Sequence, residues 1–206
     1  FNSCEMKEFD SVCDFPFSLA SVVQCFWSRY PNAFSQHVMT EDTIEQRVDA
    51  RGRLYLRKVC VKSNKVPRWG EVILRLTGAS VKSGIVLEDS VYDPESNRLT
   101  VLNYNLTHRN IMVIEEYLSF EASAQRSTVC RKHVEIRSAF SAAHKALESF
   151  GLGRYKRNSL MANRGLLDKL EETFGTERRQ AKGRKTTLKR RPVLPLIAAE
   201  TVRNSG

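Results

Sequence analysis

Leu19, Val22, Val23, Phe26, Trp27 and Tyr30 fall at i, i+3, i+4, i+7, i+8 and i+11, the spacing of a helix with one apolar face. Pro31 ends it, because the residue before a proline is pushed out of the helical region. The period then drops to two. Six stretches read as strands: His37–Val48, Arg53–Lys62, Gly84–Tyr92, Arg98–Leu106, Ile111–Phe120 and Thr128–Arg137. In the first, Val38, Ile44 and Val48 share one face and Glu41, Thr43, Glu45 and Arg47 the other, the pattern of a half-buried strand. Met6–Cys13 offers a seventh. The links Asp49–Gly52 and Asp93–Asn97 are too short for a crossover helix, so neighbouring strands pair antiparallel in a meander.

From Phe140 the period becomes helical again, through Phe140, Ala143, Leu147, Phe150, Tyr155, Leu166, Leu170 and Phe174. This predicts one long helix, weakened at Gly151 and Gly153 and capped at Gly175. The fold class is α+β: an antiparallel sheet, a short N-terminal helix and a long C-terminal helix that lies across the sheet to bury its apolar stripe. Within Val66–Arg75, Trp69, Val72 and Ile73 sit at helical spacing between two strands. The segment is either a cover for the core or a mobile lid that touches membranes, where tryptophan favours the interface.

Composition narrows the class. The 206 residues are 41% hydrophobic with mean hydropathy −0.39, and no run approaches the ~18 apolar residues of a membrane span. Five cysteines at irregular spacing, without a C-x-x-C pair, read as ordinary buried or free thiols rather than a disulfide framework or zinc module. No secretory signal is recognisable at the start. The net charge is +10, and its distribution matters more than its size. Residues 175–206 carry nine Lys/Arg against Glu177 and Glu200, so +7 lies in this segment and +3 in the body. The expectation is a basic disordered tail, serving as a solvated extension or as an arm for a membrane surface or nucleic acid. A nucleic-acid-binding module acting through Arg178–Arg191 is the rival reading of the chain, and predicts strongly salt-dependent binding.

No catalytic or nucleotide-binding motif is found, and His37, His108, His133 and His144 lack metal-ligand spacing. The expectation is no enzyme, no metal and no cofactor. What stands out is the placement of cations. Leu54, Leu56, Lys58, Cys60 and Lys62 share one strand face, so an apolar row ends in lysines: either the strand emerges into water, or a cavity is apolar in its depth and cationic at one end. Arg29 makes the same offer at the end of the first helix, where it can also simply complement the dipole.

Five motifs then carry a resemblance: Arg29-Tyr-Pro-Asn32, Phe34-Ser-x-His37-Val-x-Thr-Glu-Asp42, Lys62-x-Asn-Lys65-Val-Pro-Arg-Trp69, Leu87-Glu-Asp-Ser-x-x-Asp-Pro94 and Phe150-Gly-x-x-Arg154-Tyr-Lys-x-Asn158. Together, and in this order, they resemble the PRELI/MSF family over roughly Met6 to Phe174. The resemblance implies a phospholipid transfer protein of the mitochondrial intermembrane space, with a seven-stranded antiparallel sheet and helices enclosing a lipid tunnel. Its cargo would be phosphatidic acid, or phosphatidylserine in another branch, and it would work with a small twin-cysteine helical-hairpin partner protein and make transient contact with membrane surfaces. It also implies that Phe1–Glu5 is an upstream extension, that residues 6–174 are the lipid-transfer domain, and that no nucleic acid is bound.

The headgroup candidates under this reading are Arg29, Lys58, Lys62, Lys65, Arg154 and Asn158, with His37 as a proton-dependent donor. Trp69, Val72 and Ile73 are the lid and membrane contacts. One position departs from the family: Met161 stands where a basic residue is usual, with Arg164 one turn on.

Overall fold

The computed structural model describes residues 6–63, 68–76, 83–123, 126–138 and 143–188, for 69, 73, 74, 76 and 176–188 the backbone only. Seven strands and three helices follow in the order β1 (Lys7–Phe15), α1 (Leu19–Trp27), β2 (Val38–Val48), β3 (Leu54–Ser63), α2 (Arg68–Leu76), β4 (Ser83–Asp93), β5 (Arg98–Asn105), β6 (Met112–Ala122), β7 (Thr128–Ser138) and α3 (His144–Leu188). The strands form one antiparallel sheet in the order β1-β7-β6-β5-β4-β3-β2. From β2 to β7 it is a meander, as the short links require; β1 closes it by pairing beside β7.

The chain divides into two units, Phe1–Thr173 and Phe174–Gly206. The first holds the sheet, α1, α2 and α3 as far as Thr173; among the described residues the second holds the last turns of α3. The helix was expected to stop at Gly175, but it continues to Leu188; a glycine inside a helix costs only about 1 kcal/mol and does not by itself end one. Residues 189–206 lie outside the described residues.

Ser18 caps α1, its hydroxyl accepting from the Ser21 N–H at 3.2 Å, which satisfies one of the orphan donors of the first turn. The helix ends at Trp27 rather than Tyr30. Ser28 turns the chain, its N–H bonding to the Cys25 carbonyl and its hydroxyl to that of Gln24 at 3.1 Å. The apolar stripe of α1 is buried on the inner face of the sheet, where Phe26 meets Phe120 edge-on with ring centroids 5.2 Å apart. Trp27 donates to the Ser90 hydroxyl at 3.1 Å.

The expected alternation of β2 does not hold. Its pairing with β3 slips twice, between Val38 and Thr40 and between Thr43 and Glu45, so Met39 and Ile44 are extra residues of two β-bulges, each about 60% exposed. Val38, Ile44 and Val48 therefore do not form one buried row. Each bulge shifts the period by one, and bulges in an edge strand blunt it against pairing with another chain.

α3 runs unbroken through Gly151 and Gly153, and only the first glycine serves packing. A Cβ on Gly151 would lie 2.6 Å from the Met112 sulfur and 3.3 Å from Ile136, whereas one on Gly153 would meet nothing within 4 Å. Leu147, Leu166 and Leu170 are buried.

A cationic cavity between the sheet and the long helix

A cavity of about 290 Å³ lies between the inner face of the sheet and α3, reaching residues of α1 and α2. Part of its wall is apolar, with Ile114, Leu118, Phe120, Leu147, Phe150 and Leu166 on it. Three basic side chains line it together: His37 in the turn just before β2, Lys62 near the end of β3 and Arg154 on α3. The backbone of Ser63 joins them. Its N–H donates to the His37 carbonyl at 2.7 Å, and its own carbonyl accepts from Arg154 at 3.2 Å. Burial lowers the basicity of His37, and the charges of Lys62 and Arg154 lower it further. Burial likewise lowers Arg154, with Arg157 adding to it. Lys62 forms no ion pair among the described residues. Asn158, one turn beyond Arg154, also lines the cavity.

Arg29 reaches the wall in a different state. It is 7% exposed and faces Glu88, 1% exposed, in a two-pronged ion pair, while its Nη1 also donates to the Phe26 carbonyl at 2.6 Å. Its guanidinium stacks between the rings of Phe26 and Tyr30, 3.9 and 4.6 Å from their centroids. The planar fork that suits a phosphate is thus occupied by a carboxylate. Lys58 does not line the cavity. It is buried under the end of α1, with its Nζ donating to the Trp27 carbonyl and lying 3.4 Å from Glu41. Burial raises the Glu41 carboxyl against the pull of Arg29 and Lys58.

Lys65 lies outside the described residues. Of the lid candidates, Val72 is exposed, and Trp69 and Ile73 belong to α2. Gly70 of α2 lines the cavity, so this helix borders it.

The sequence reading missed Lys132. On β7 it continues the inward row of Thr128, Cys130, Val134 and Ile136 and is 6% exposed. Its ammonium donates to Ser159 at 3.1 Å and to Asn163 at 2.5 Å on α3, and it lines the cavity. The signal was there: a lysine in an apolar period-two row, as on β3. Nearby, Glu116 accepts from Asn103 at 2.9 Å and Tyr155 at 2.7 Å, and burial together with that carboxylate raises Tyr155. Such a chamber can hold an apolar body and receive an anion at its cations; among the described residues there is no cluster of His, Cys, Asp and Glu suited to a metal ion.

The sheet and long helix match solved structures of low sequence similarity. The crystal structure of TTHA0849 from Thermus thermophilus superposes with a TM-score of 0.54 at 13% identity over 80% of this chain and 97% of that one. The Zhui aromatase/cyclase of Streptomyces gives 0.54 at 11%, over 81% and 94%. These likenesses concern the fold alone. Sequence relatives are more specific. PRELI domain-containing protein 1, mitochondrial, of Homo sapiens is 35% identical over 70% of this chain and 66% of its own length, so the chain spans just under two thirds of that relative. Protein UPS1, mitochondrial, of Saccharomyces cerevisiae is 33% identical over 77% of this chain and 91% of its own. The profile of the PRELI-like family matches residues 20–177. That profile runs through every strand from β2 to β7, and the chain belongs to the PRELI-like family.

Proposed function

We propose that this protein carries a phospholipid between membranes, with the acyl chains against the apolar wall of the cavity and an anionic headgroup at His37, Lys62 and Arg154. The observation that carries this reading is the meeting of Lys62, Arg154 and the His37 imidazole on the lining of one cavity that also has a broad apolar wall. Moving a two-chain lipid through water exposes roughly thirty methylenes at ~0.8 kcal/mol each, a barrier on the order of 25 kcal/mol. A chamber that encloses the chains removes most of it without any bond being made or broken, so no enzyme activity is needed. A phosphomonoester of about −1.5 to −2 charges at neutral pH needs charge-assisted hydrogen bonds to replace its water. This favours phosphatidic acid over phosphatidylserine. Asn158 is a neutral donor for the same group, and Arg29 supports the site from the wall through its pair with Glu88.

The relatives named mitochondrial support a mitochondrial location, and we place the carrier between the two membranes there. A domain hollowed for cargo gives up core packing, and a small twin-cysteine helical-hairpin partner that binds only the folded state would add stability by mass action. At saturating partner the unfolding midpoint should rise; an unchanged midpoint would remove the partner from the account.

The test of the site is transfer between vesicles. Lys62→Glu should slow transfer of phosphatidic acid roughly tenfold or more with unaltered thermal stability, since Lys62 has no ion pair to lose among the described residues. A folded Lys62→Glu protein transferring at the normal rate would place the headgroup elsewhere. Nucleic-acid binding through 178–191 is the competing class, and salt-dependent binding of DNA by the full chain without lipid transfer would favour it.

A further inference from the structure

We infer that Cys13 and Cys130 form an oxidisable dithiol, a site at which a small-molecule disulfide such as oxidised glutathione closes a bridge between β1 and β7. The two residues stand directly opposite each other in the antiparallel register of these strands. Directly opposed residues in such a ladder have Cα atoms roughly 4.5–5.5 Å apart, inside the range that a disulfide spans. Their side chains lie on the same, inner face and are hydrogen-bonded to each other. Both are free thiols.

The two sulfurs are differently placed for the chemistry. Cys130 is fully buried, whereas Cys13 is half-buried on the strand at the sheet's edge. The hydrogen bond from Cys130 brings the Cys13 thiol down to about 7; burial opposes this and the Lys132 ammonium assists it. Cys130 is pushed well up by the same hydrogen bond and by burial. A thiol with a pKa near the ambient pH is the best attacking group in exchange, because it combines thiolate fraction with nucleophilicity. Cys13 is therefore the nucleophile and Cys130 the resolving group. The Cys13 thiolate attacks one sulfur of the small disulfide, forming a mixed disulfide and expelling one thiolate, which takes up a proton. Cys130 then gives up its proton, its sulfur attacks that of Cys13, and the second small thiol leaves. Two protein thiols are oxidised by two electrons, and one disulfide is reduced to two thiols.

The bridge ties an edge strand whose one strand neighbour is β7 across a loop of more than a hundred residues, which by loop-closure entropy should raise the unfolding midpoint by roughly 5–15 °C. β1 also carries Phe9, whose ring meets Tyr155 of the cavity wall edge-on at 6.2 Å, so the oxidised form fixes the strand behind that wall.

The experiment treats the 206-residue chain at pH 7 with a reduced and oxidised glutathione series, quenches with an alkylating reagent and reads intact mass and linked peptides. The expected product is lighter by two hydrogens, with one crosslink joining the peptides of Cys13 and Cys130 and with the higher midpoint. Cys130→Ser should instead accumulate a stable glutathione adduct on Cys13; Cys130→Ala replaces it if the hydroxyl is not accommodated at the buried position. Cys13→Ser should give neither product. A crosslink through Cys4, Cys25 or Cys60, a wild-type adduct on Cys13 that does not resolve, or a pair that stays fully alkylatable at the oxidising end of the series would each overturn the assignment.

Discussion

Removing Arg29 should cost more stability than removing any other cation at the cavity. The side chain is 7% exposed and its partner Glu88 1%, so Arg29→Met leaves a carboxylate in an almost dry site with one arm of its hydrogen bonding gone. Breaking a buried pair in this way costs about 3–5 kcal/mol, a large share of the roughly 5–15 kcal/mol that holds a domain together. For a chain of this size about 2–4 °C of midpoint accompanies each kcal/mol, so the single variant should unfold roughly 6–20 °C below the parent. Arg29→Met with Glu88→Leu removes both charges and should recover most of that loss, because the desolvation cost goes with the pair. The assay is thermal and denaturant unfolding of the four proteins of the cycle. A single variant as stable as the parent, or a double variant no better than the single, would refute the view that Glu88 holds Arg29. It follows that loss of transfer in an Arg29 variant is informative only when folding has been measured alongside it.

Three further outcomes are expected. Gly153→Ala should stabilise by about 0.5–1 kcal/mol, because the added methyl meets nothing within 4 Å and the helix gains propensity; Gly151→Ala should lose about 1–2 kcal/mol through overpacking against Met112 and Ile136, and unfolding midpoints that move in the same direction would count against the packing described. His37 should titrate below 6.5 by NMR in the lipid-free protein; the unfolded chain then binds more protons between the folded value and 6.5, so stability falls as pH drops through that window, and an anion held by Lys62 and Arg154 should shift the value upward, an unmoved titration arguing against the site. If α2 gates the cavity, its amides should exchange faster than those of β5 and β6, as a lid drawn from the low-stability end of the structure requires; equal protection, with normal transfer by Trp69→Ala, would leave it as a fixed cover.

The strands were legible because short turns and period-two rows leave few alternatives: β3 to β7 fall within a residue or two of the stretches that the pattern marks. β2 misled because bulges at Met39 and Ile44 break the period that alternation assumes, and nothing in single-residue propensity announces a bulge. The continuation of α3 past Gly175 was hidden by reading one glycine as a stop. In the cavity, the pattern showed which residues were cationic and which faces they occupied, but it could not show which cations were already neutralised. Lys58 and Lys62 look equivalent on one strand face, yet Lys58 is committed to Glu41 and the Trp27 carbonyl while Lys62 lines the cavity. The partners come from α1 and β2, far away in sequence, and only the folded chain brings them together. Lys132 sits in an inward period-two row as the lysines of β3 do, but its partners Ser159 and Asn163 lie on α3, so the row alone does not show where its charge is satisfied.

The central claim, a carrier whose chamber holds one anionic phospholipid, is tested most directly by mass spectrometry of the intact protein purified without detergent after incubation with mixed-lipid vesicles. The account predicts one phospholipid per chain, enriched in phosphatidic acid over neutral and zwitterionic lipids, with that enrichment lost in Lys62→Glu. A chain that emerges empty, or one that takes up lipids in the proportions supplied, would contradict it.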